Sequence, residues 1–181
     1  MSQIRSFLAI DLDDDFKPKV NKIIKEFKKI DANLKFVDLN NLHFTLKFFG
    51  DIDTEGIDLI SKKIEKVADD FEPFNIKISG CGAFPNNNHI KVIWIGVDSD
   101  ELLVQLHDKL DEEFAAIGFD KDKKFSTHLT IGRMKSAKGK NQVRDVIEEF
   151  ENVEIGEMNI SNIAFKKSTL KPSGPIYENL K

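Results

Sequence analysis

Apolar residues recur along this chain at two periods, and the changes of period mark its elements. Ile4, Ser6, Leu8 and Ile10 alternate with Arg5, Phe7, Ala9 and Asp11, which predicts a first strand. Asp13 is a helix cap, Pro18 falls in the opening turns, and Phe16, Val20, Ile23, Phe27 and Ile30 form one helical face. A short strand at Lys35-Phe36-Val37 leads to a strand that starts near His43 and ends near Gly50. Thr54 is the expected cap of a second helix with Ile57, Ile60, Ile64, Val67 and Phe71 buried. Phe74, Ile76 and Ile78 open a strand that is expected to break at Gly80-Cys81-Gly82, and the stretch from Gly80 to Asn88 reads as a loop.

The order then repeats. His89 to Val97 is a strand, and Ser99 caps a helix that turns Leu102, Leu103, Leu106, Leu110 and Phe114 inward. Phe125 to Arg133 is a strand, and Gly139-Lys140-Asn141 opens a short helix with Val143, Val146, Ile147 and Phe150. Glu151 to Lys167 is strand-like. Each half therefore reads strand, helix, strand, helix, strand. The expected organisation is a single bilobal domain over residues 1–181, with approximate repeat halves 1–85 and 86–181 related by a pseudo-two-fold.

The third element of each half carries the same pattern. Leu42-His43-Phe44-Thr45-Leu46 and Thr127-His128-Leu129-Thr130-Ile131 both read His, apolar, Thr, apolar, 85 residues apart. Alternation puts His43 with Thr45 on one face, His128 with Thr130 on another, and the apolar partners in the core. The chain has 4 His and five Thr in all, so a doubled coincidence with matching apolar flanks is a strong signal.

Composition narrows what such a pair can serve. Hydrophobic residues at 40% and charged residues at 32% fit a soluble globular protein, and no apolar run approaches the roughly 20 residues that span a bilayer. The amino terminus lacks an export signal and Cys81 stands alone, which together suit a reducing cytoplasm without disulfides. One Cys and scattered His leave no metal cluster of usual spacing. The Gly80/Gly82 pair is followed by no helix, so it is not a dinucleotide loop, and no cofactor is expected. Net charge of −4 argues against wrapping a long duplex. The charge is nonetheless uneven: residues 98–120 are acidic, residues 121–144 basic, and the basic run brackets the second motif. It offers a local attraction for a short anionic ligand.

Two imidazoles with two hydroxyls suit in-line substitution at phosphorus, where attacking and leaving oxygens lie on opposite sides. One neutral His takes a proton from water and one protonated His supplies the departing alkoxide. An ordinary His pKa near about 6.5 lets both forms coexist. Thr hydroxyls donate to the non-bridging oxygens. A cyclic phosphate fits best, since its leaving oxygen stays tethered. Geometry alone leaves open which His is acid and which is base.

These residues resemble the two-histidine phosphoesterase superfamily, and within it the RNA 2′,3′-cyclic phosphodiesterase family, also called 2′-5′ RNA ligases. The similarity is carried by residues 5–11, Asn41 to Gly50, Gly80 to Pro85, Phe125 to Arg133, and Gly174 to Leu180. The resemblance implies an α+β bilobal fold, two pseudo-symmetric lobes each with an antiparallel sheet and two helices, and an active cleft between them. It implies metal-independent hydrolysis of RNA 2′,3′-cyclic phosphate ends to 2′-phosphomonoesters, with His43 as proton donor, His128 as proton acceptor, and Thr45 and Thr130 on the phosphate. The partners implied are RNA ends or nucleoside 2′,3′-cyclic phosphates, with no obligatory protein partner and a monomeric state. Arg133 matches a phosphate-binding position, yet strict alternation turns it away from His128 unless the strand bends near Gly132. Thr127 stands where the family usually has Pro.

His107, inside a helix, and His89, at a loop end, read as surface residues. Tyr177 is either a base-stacking or a packing residue. The alternatives to hydrolysis are a 2′-5′ RNA ligase, a 2′-5′ oligonucleotide phosphodiesterase, and a non-catalytic RNA-end binding module.

Overall fold

The computed structural model describes residues 2–98 and 101–181. In chain order the strands are β1 (Ile4–Asp11), β2 (Leu34–Phe36), β3 (His43–Ile52), β4 (Phe74–Asn86), β5 (His89–Val97), β6 (Leu129–Met134), β7 (Glu154–Ile160), β8 (Ala164–Lys171) and β9 (Gly174–Asn179). The helices are α1 (Lys17–Lys28), α2 (Thr54–Ala68), α3 (Glu101–Ala115) and α4 (Lys140–Glu149). The sheet runs β7-β4-β5-β6-β3-β1-β8-β9, with β2 beside β6, and every pairing is antiparallel.

Each helix exists because its apolar stripe has a place to go. Val20, Ile23, Ile24 and Phe27 of α1 are buried, as are Ile60, Ile64 and Val67 of α2. Helix α2 meets α3, and α1 meets α4, over a contiguous core that includes Phe44, Leu129 and Ile131. The cap of α2 is Asp53 rather than Thr54: its backbone is extended and its carboxylate accepts the Gly56 N–H at 2.8 Å. The proposed Ser99 cap of α3 lies outside the described residues. Leu102, expected inward, is exposed, while Leu103, Leu106, Leu110 and Phe114 are buried.

The stretch read as a loop from Gly80 is mostly strand. β4 continues to Asn86, and Gly80, at φ +77°, is the extra residue where the register against β5 slips. A glycine with positive φ signals a bulge as well as a turn, and here the strand resumes beyond it. The turn itself sits at Asn87 and Asn88, where the Asn86 side chain accepts the N–H groups of Asn88 and His89.

The two halves share strands. β4 comes from the first half yet lies beside β5, and β8 comes from the second half yet lies beside β1. The central strands β3 and β6 meet at one pair, Phe44↔Leu129, which joins the two expected sheets into one path. These two residues are equivalent: each directly follows the His of its motif. An antiparallel pair has a local two-fold axis between facing residues, so the pairing itself relates one motif to the other.

Candidate active site

Phe44 and Leu129 are fully buried on the helix side. Alternation therefore turns His43, Thr45, His128 and Thr130 to the opposite face, where all four line one cleft of about 1180 Å³. The antiparallel register about Phe44↔Leu129 sets Thr130 across from His43 and Thr45 across from His128. The two imidazoles are thus diagonal neighbours, a relation that corresponds to roughly 7–8 Å between Cα atoms in a regular ladder. A further hydrogen bond ties the strands: the Thr127 hydroxyl donates to the Thr45 carbonyl at 2.9 Å. Proline at this position would lack that donor.

The His43 ring is fixed at both nitrogens. Nδ1 lies 2.7 Å from the Asn41 carbonyl, which can only accept, so Nδ1 carries a proton. Nε2 then faces Thr45 Oγ1 at 3.1 Å and is the nitrogen that changes protonation state. Phe7 and Tyr177 flank the ring, with centroids at 5.1 and 5.3 Å. Burial in this slot pushes the His43 pKa below its ordinary value; the Asn41 carbonyl and Asp11 oppose the shift, and Lys166 adds to it. Asp11 is the cross-strand partner of His43 on β1.

His128 sits just before β6, in a slot of similar design. Phe84 meets it edge-on at 4.7 Å and Trp94 lies tilted at 4.4 Å. Its Nε2 is 3.4 Å from Ser126 Oγ. Burial alone pushes its pKa down. Trp94 can lie there because Gly82, its cross-strand partner, has no side chain: a Cβ at Gly82 would fall 2.3 Å from the indole.

Arg133 does line the cleft, and the bend that takes it there is a β-bulge. Across β5 and β6, Trp94 pairs Thr130 and Ile93 pairs Gly132, leaving Ile131 as the extra residue. β3 has the same irregularity at the same place. Ala9 pairs Thr45 and Leu8 pairs Lys47, leaving Leu46 extra. Both bulges fall three residues after the motif His, and both reverse the alternation. Phe48 consequently joins Arg133 at the cleft, each five residues after its His. Lys47, which strict alternation would turn to the cleft, is 6% exposed on the other side.

Sequence reasoning missed where Lys47 goes. Its ammonium donates to Asp111 Oδ1 at 2.6 Å, the Asp120 carbonyl at 2.7 Å and Asp122 Oδ1 at 3.0 Å. Burial opposes the charge on Lys47, but the hydrogen bonds to Asp111 and Asp122 outweigh it and raise its pKa. His107 is buried, contrary to expectation. Its Nε2 is 2.9 Å from Asp122 Oδ2, and its ring stacks on Phe125 at 3.9 Å. His107, Asp111 and Asp122 bring potential metal-ligand atoms within 4.8 Å of one another, but the Lys47 cation already bonds to both carboxylates. His89 is exposed, as expected. Cys81 is buried, which raises its thiol pKa to about 12 and keeps it a thiol. Among the described residues no helix is long and apolar enough to cross a membrane.

Known proteins are similar to this chain in sequence and in fold. A protein of Methanothermobacter thermautotrophicus named RNA 2′,3′-cyclic phosphodiesterase is 40% identical over 178 residues, covering 98% of this chain and 97% of its own. One of the same name from Methanocaldococcus jannaschii is 39% identical over 178 residues, covering 98% and 99%. The crystal structure of TT0787 of Thermus thermophilus matches the fold with a TM-score of 0.85 at 24% identity, covering 98% of this chain and 96% of its own. Apo LigT of E. coli matches at a TM-score of 0.73 and 22% identity, covering 100% and 96%. The model of the 2′-5′ RNA ligase superfamily matches residues 15–169, and this chain belongs to that superfamily.

Proposed function

We propose that this protein hydrolyses 2′,3′-cyclic phosphates at RNA ends to 2′-phosphomonoesters. The observation that supports this most is the Phe44↔Leu129 pair, whose local two-fold sets two imidazole–hydroxyl pairs around one cleft. In-line displacement needs that disposition, one proton-transfer group for each apical oxygen. The relatives named for this activity support the same reading.

In the proposed reaction His128 takes a proton from water as its oxygen attacks phosphorus. The bond to O3′ breaks, and His43 delivers its Nε2 proton to that oxygen. Thr45, Thr130 and Arg133 hold the non-bridging oxygens, where charge gathers. Protonation of the departing O3′ makes a metal unnecessary to this route. We assign the acid to His43: burial and Lys166 act against its imidazolium, but the Asn41 carbonyl and Asp11 support it, whereas burial acts on His128 without such support. The reading also takes residues 1–181 as one bilobal catalytic unit acting as a cytoplasmic monomer.

The test is hydrolysis of a nucleoside 2′,3′-cyclic phosphate in EDTA, with the product identified as the 2′- or 3′-phosphate. The 2′-phosphate is expected, with turnover abolished in His43→Ala and in His128→Ala. Full activity in both variants would overturn the mechanism. Binding without turnover between about pH 5 and 8 would leave only an RNA-end binding module.

A further inference from the structure

The sheet order is symmetric about the β6–β3 contact, so residues beside one motif strand have counterparts beside the other. β1 corresponds to β5, and β8 to β4. On β1, Ala9 pairs Thr45, Ile10 pairs Phe44 and Asp11 pairs His43. On β5, Trp94 pairs Thr130 and Ile95 pairs Leu129, so the counterpart of Asp11 is Gly96. One strand further out, Lys166 of β8 pairs Phe7 and Ala164 pairs Ala9, while Phe84 of β4 pairs Val92 and Gly82 pairs Trp94. The counterpart of Lys166 is therefore Phe84. Near His43 the fold sets a carboxylate and an ammonium where near His128 it sets a bare backbone and an aromatic ring.

The two charged residues hold each other. Lys166 Nζ lies 3.0 Å from Asp11 Oδ1 and donates to Asn179 Oδ1 at 2.9 Å. Lys166 is 8% exposed, so those oxygens stand in for the water its ammonium has lost. Asp11 is exposed, and without the ammonium its carboxylate is free to turn to solvent. No such pair can form at His128. A Cβ at Gly96 would fall 2.8 Å from the Ser79 carbonyl oxygen and 3.2 Å from the Trp94 indole, and Phe84 meets the His128 ring edge-on. The other charged or titratable groups on the elements around His43 are Arg5 of β1, Asp38 before β3, Tyr177 of β9, Arg133 of β6, and His128 itself.

We propose that Asp11 and Lys166 are a positioning pair for His43, which makes one half of a two-fold site the acid and leaves the other half the base. The roles of acid and base rest on the cyclic-phosphate reading of the site. Asp11 supports the His43 imidazolium until the departing O3′ takes the Nε2 proton. Lys166 fixes that carboxylate in place and offsets part of its charge, so the proton is held but still released. His128 has neither group, and burial keeps it toward the neutral form that a base needs.

The experiment follows the His43 and His128 ring protons by NMR across pH in the unliganded protein, beside the pH profile of kcat/KM for a nucleoside 2′,3′-cyclic phosphate. Asp11→Asn leaves the ammonium without its anion, so the His43 titration and the alkaline limb of the profile move to lower pH. Lys166→Met leaves the carboxylate without its cation, so both move to higher pH. In Asp11→Asn/Lys166→Met the two displacements oppose each other and the titration returns toward that of the parent. His128 and the acid limb stay in place in all three. A merely structural role gives no such opposition of sign. Movement in one direction in both single variants, no movement, or an equal movement of His128 overturns the pair. Asn keeps an oxygen for the ammonium, so where Lys166→Met does not fold, an unmoved His43 titration in Asp11→Asn is enough to overturn it. The ring titrations need no turnover: an unmodified protein that hydrolyses no cyclic phosphate overturns the proposed function, while the titrations still decide whether the pair acts on His43.

Discussion

His43 and His128 differ in what holds them, and pH is the variable that reports it. Both imidazoles have pKa values below the ordinary His value because both are half-buried among aromatic rings. The proposed chemistry needs one protonated and one neutral. That state is most populated midway between the two pKa values, which places the kcat/KM optimum on the acid side of about 6.5. Activity falls above it as the acid loses its proton, and below it as the base gains one. A bound phosphate adds negative charge beside both rings and raises both values, so the kcat profile lies at higher pH than the kcat/KM profile. Parallel profiles of the two constants test this, and a kcat/KM maximum above about 7 contradicts it. Stability carries the same sign. A His with a depressed native pKa withholds protons that the unfolded chain accepts, so its contribution is intact above about 6.5 and is lost as pH falls through the native value. The imidazoles, their hydroxyl partners and their shared face were legible in the sequence, because alternation is a local property of a strand. The aromatic slots were not. Phe7, Trp94, Phe84 and Tyr177 come from strands β1, β5, β4 and β9, and their meeting with the rings depends on strand order.

The matched bulges at Leu46 and Ile131 decide which further side chains reach the cleft. A bulge is a relation between two strands, so one strand's sequence does not display it; strict alternation would turn Lys47 to the cleft, and it left Arg133 conditional. In the folded chain the same slip serves opposite purposes in the two motifs. It turns a cation, Arg133, inward in one and an aromatic ring, Phe48, inward in the other. A two-fold pair of motifs thereby becomes a site with two different sides, as a nucleotide with one phosphate and one base requires. The consequence is a split in kinetic constants. Arg133→Gln removes a charged donor whose hydrogen bond is worth about 1.5–3 kcal/mol, so kcat/KM falls roughly tenfold to hundredfold, mostly in kcat if the bond strengthens as charge develops. Phe48 is 64% exposed, so Phe48→Ala leaves stability within about 0.5 kcal/mol and raises KM with little change in kcat. Steady-state kinetics on both variants, with thermal melts, decide the matter. Equal effects on kcat in the two would contradict the division.

At the scale of the whole molecule, most strands and helices were readable from the periodicity, but the placing of β4 beside β5 and of β8 beside β1 was not, since a strand's own residues do not name its neighbour. The irregular segment between α3 and β6 was equally opaque, and it explains the burial of His107. Leu103, Leu106 and Leu110 mark the inward face of α3, while His107 and Asp111 sit on the flank of that stripe, which this segment covers through Asp122 and Phe125. His128 emerges from the same segment. Its position relative to His43 depends on the single Phe44↔Leu129 pair, the Thr127 hydroxyl on the Thr45 carbonyl, and Lys47 reaching from β3 to Asp111, Asp120 and Asp122. Lys47 is therefore both a buried charge and a tie between β3 and the segment that leads into β6. Lys47→Met leaves the Asp111 carboxylate buried without its cation, a change that costs about 3–5 kcal/mol. Asp111→Asn keeps an oxygen for the Asp122 N–H and removes one charge of the pair, so its cost is smaller. Denaturant midpoints with unchanged m-values measure the order of the two. Where Lys47→Met is still folded, the loosened segment lowers kcat more than it raises KM, because the cleft cations are untouched while His128 is held less closely to its place. A Lys47→Met protein as stable and as active as the parent would show that the tie is dispensable and that the one strand pair alone aligns the two motifs.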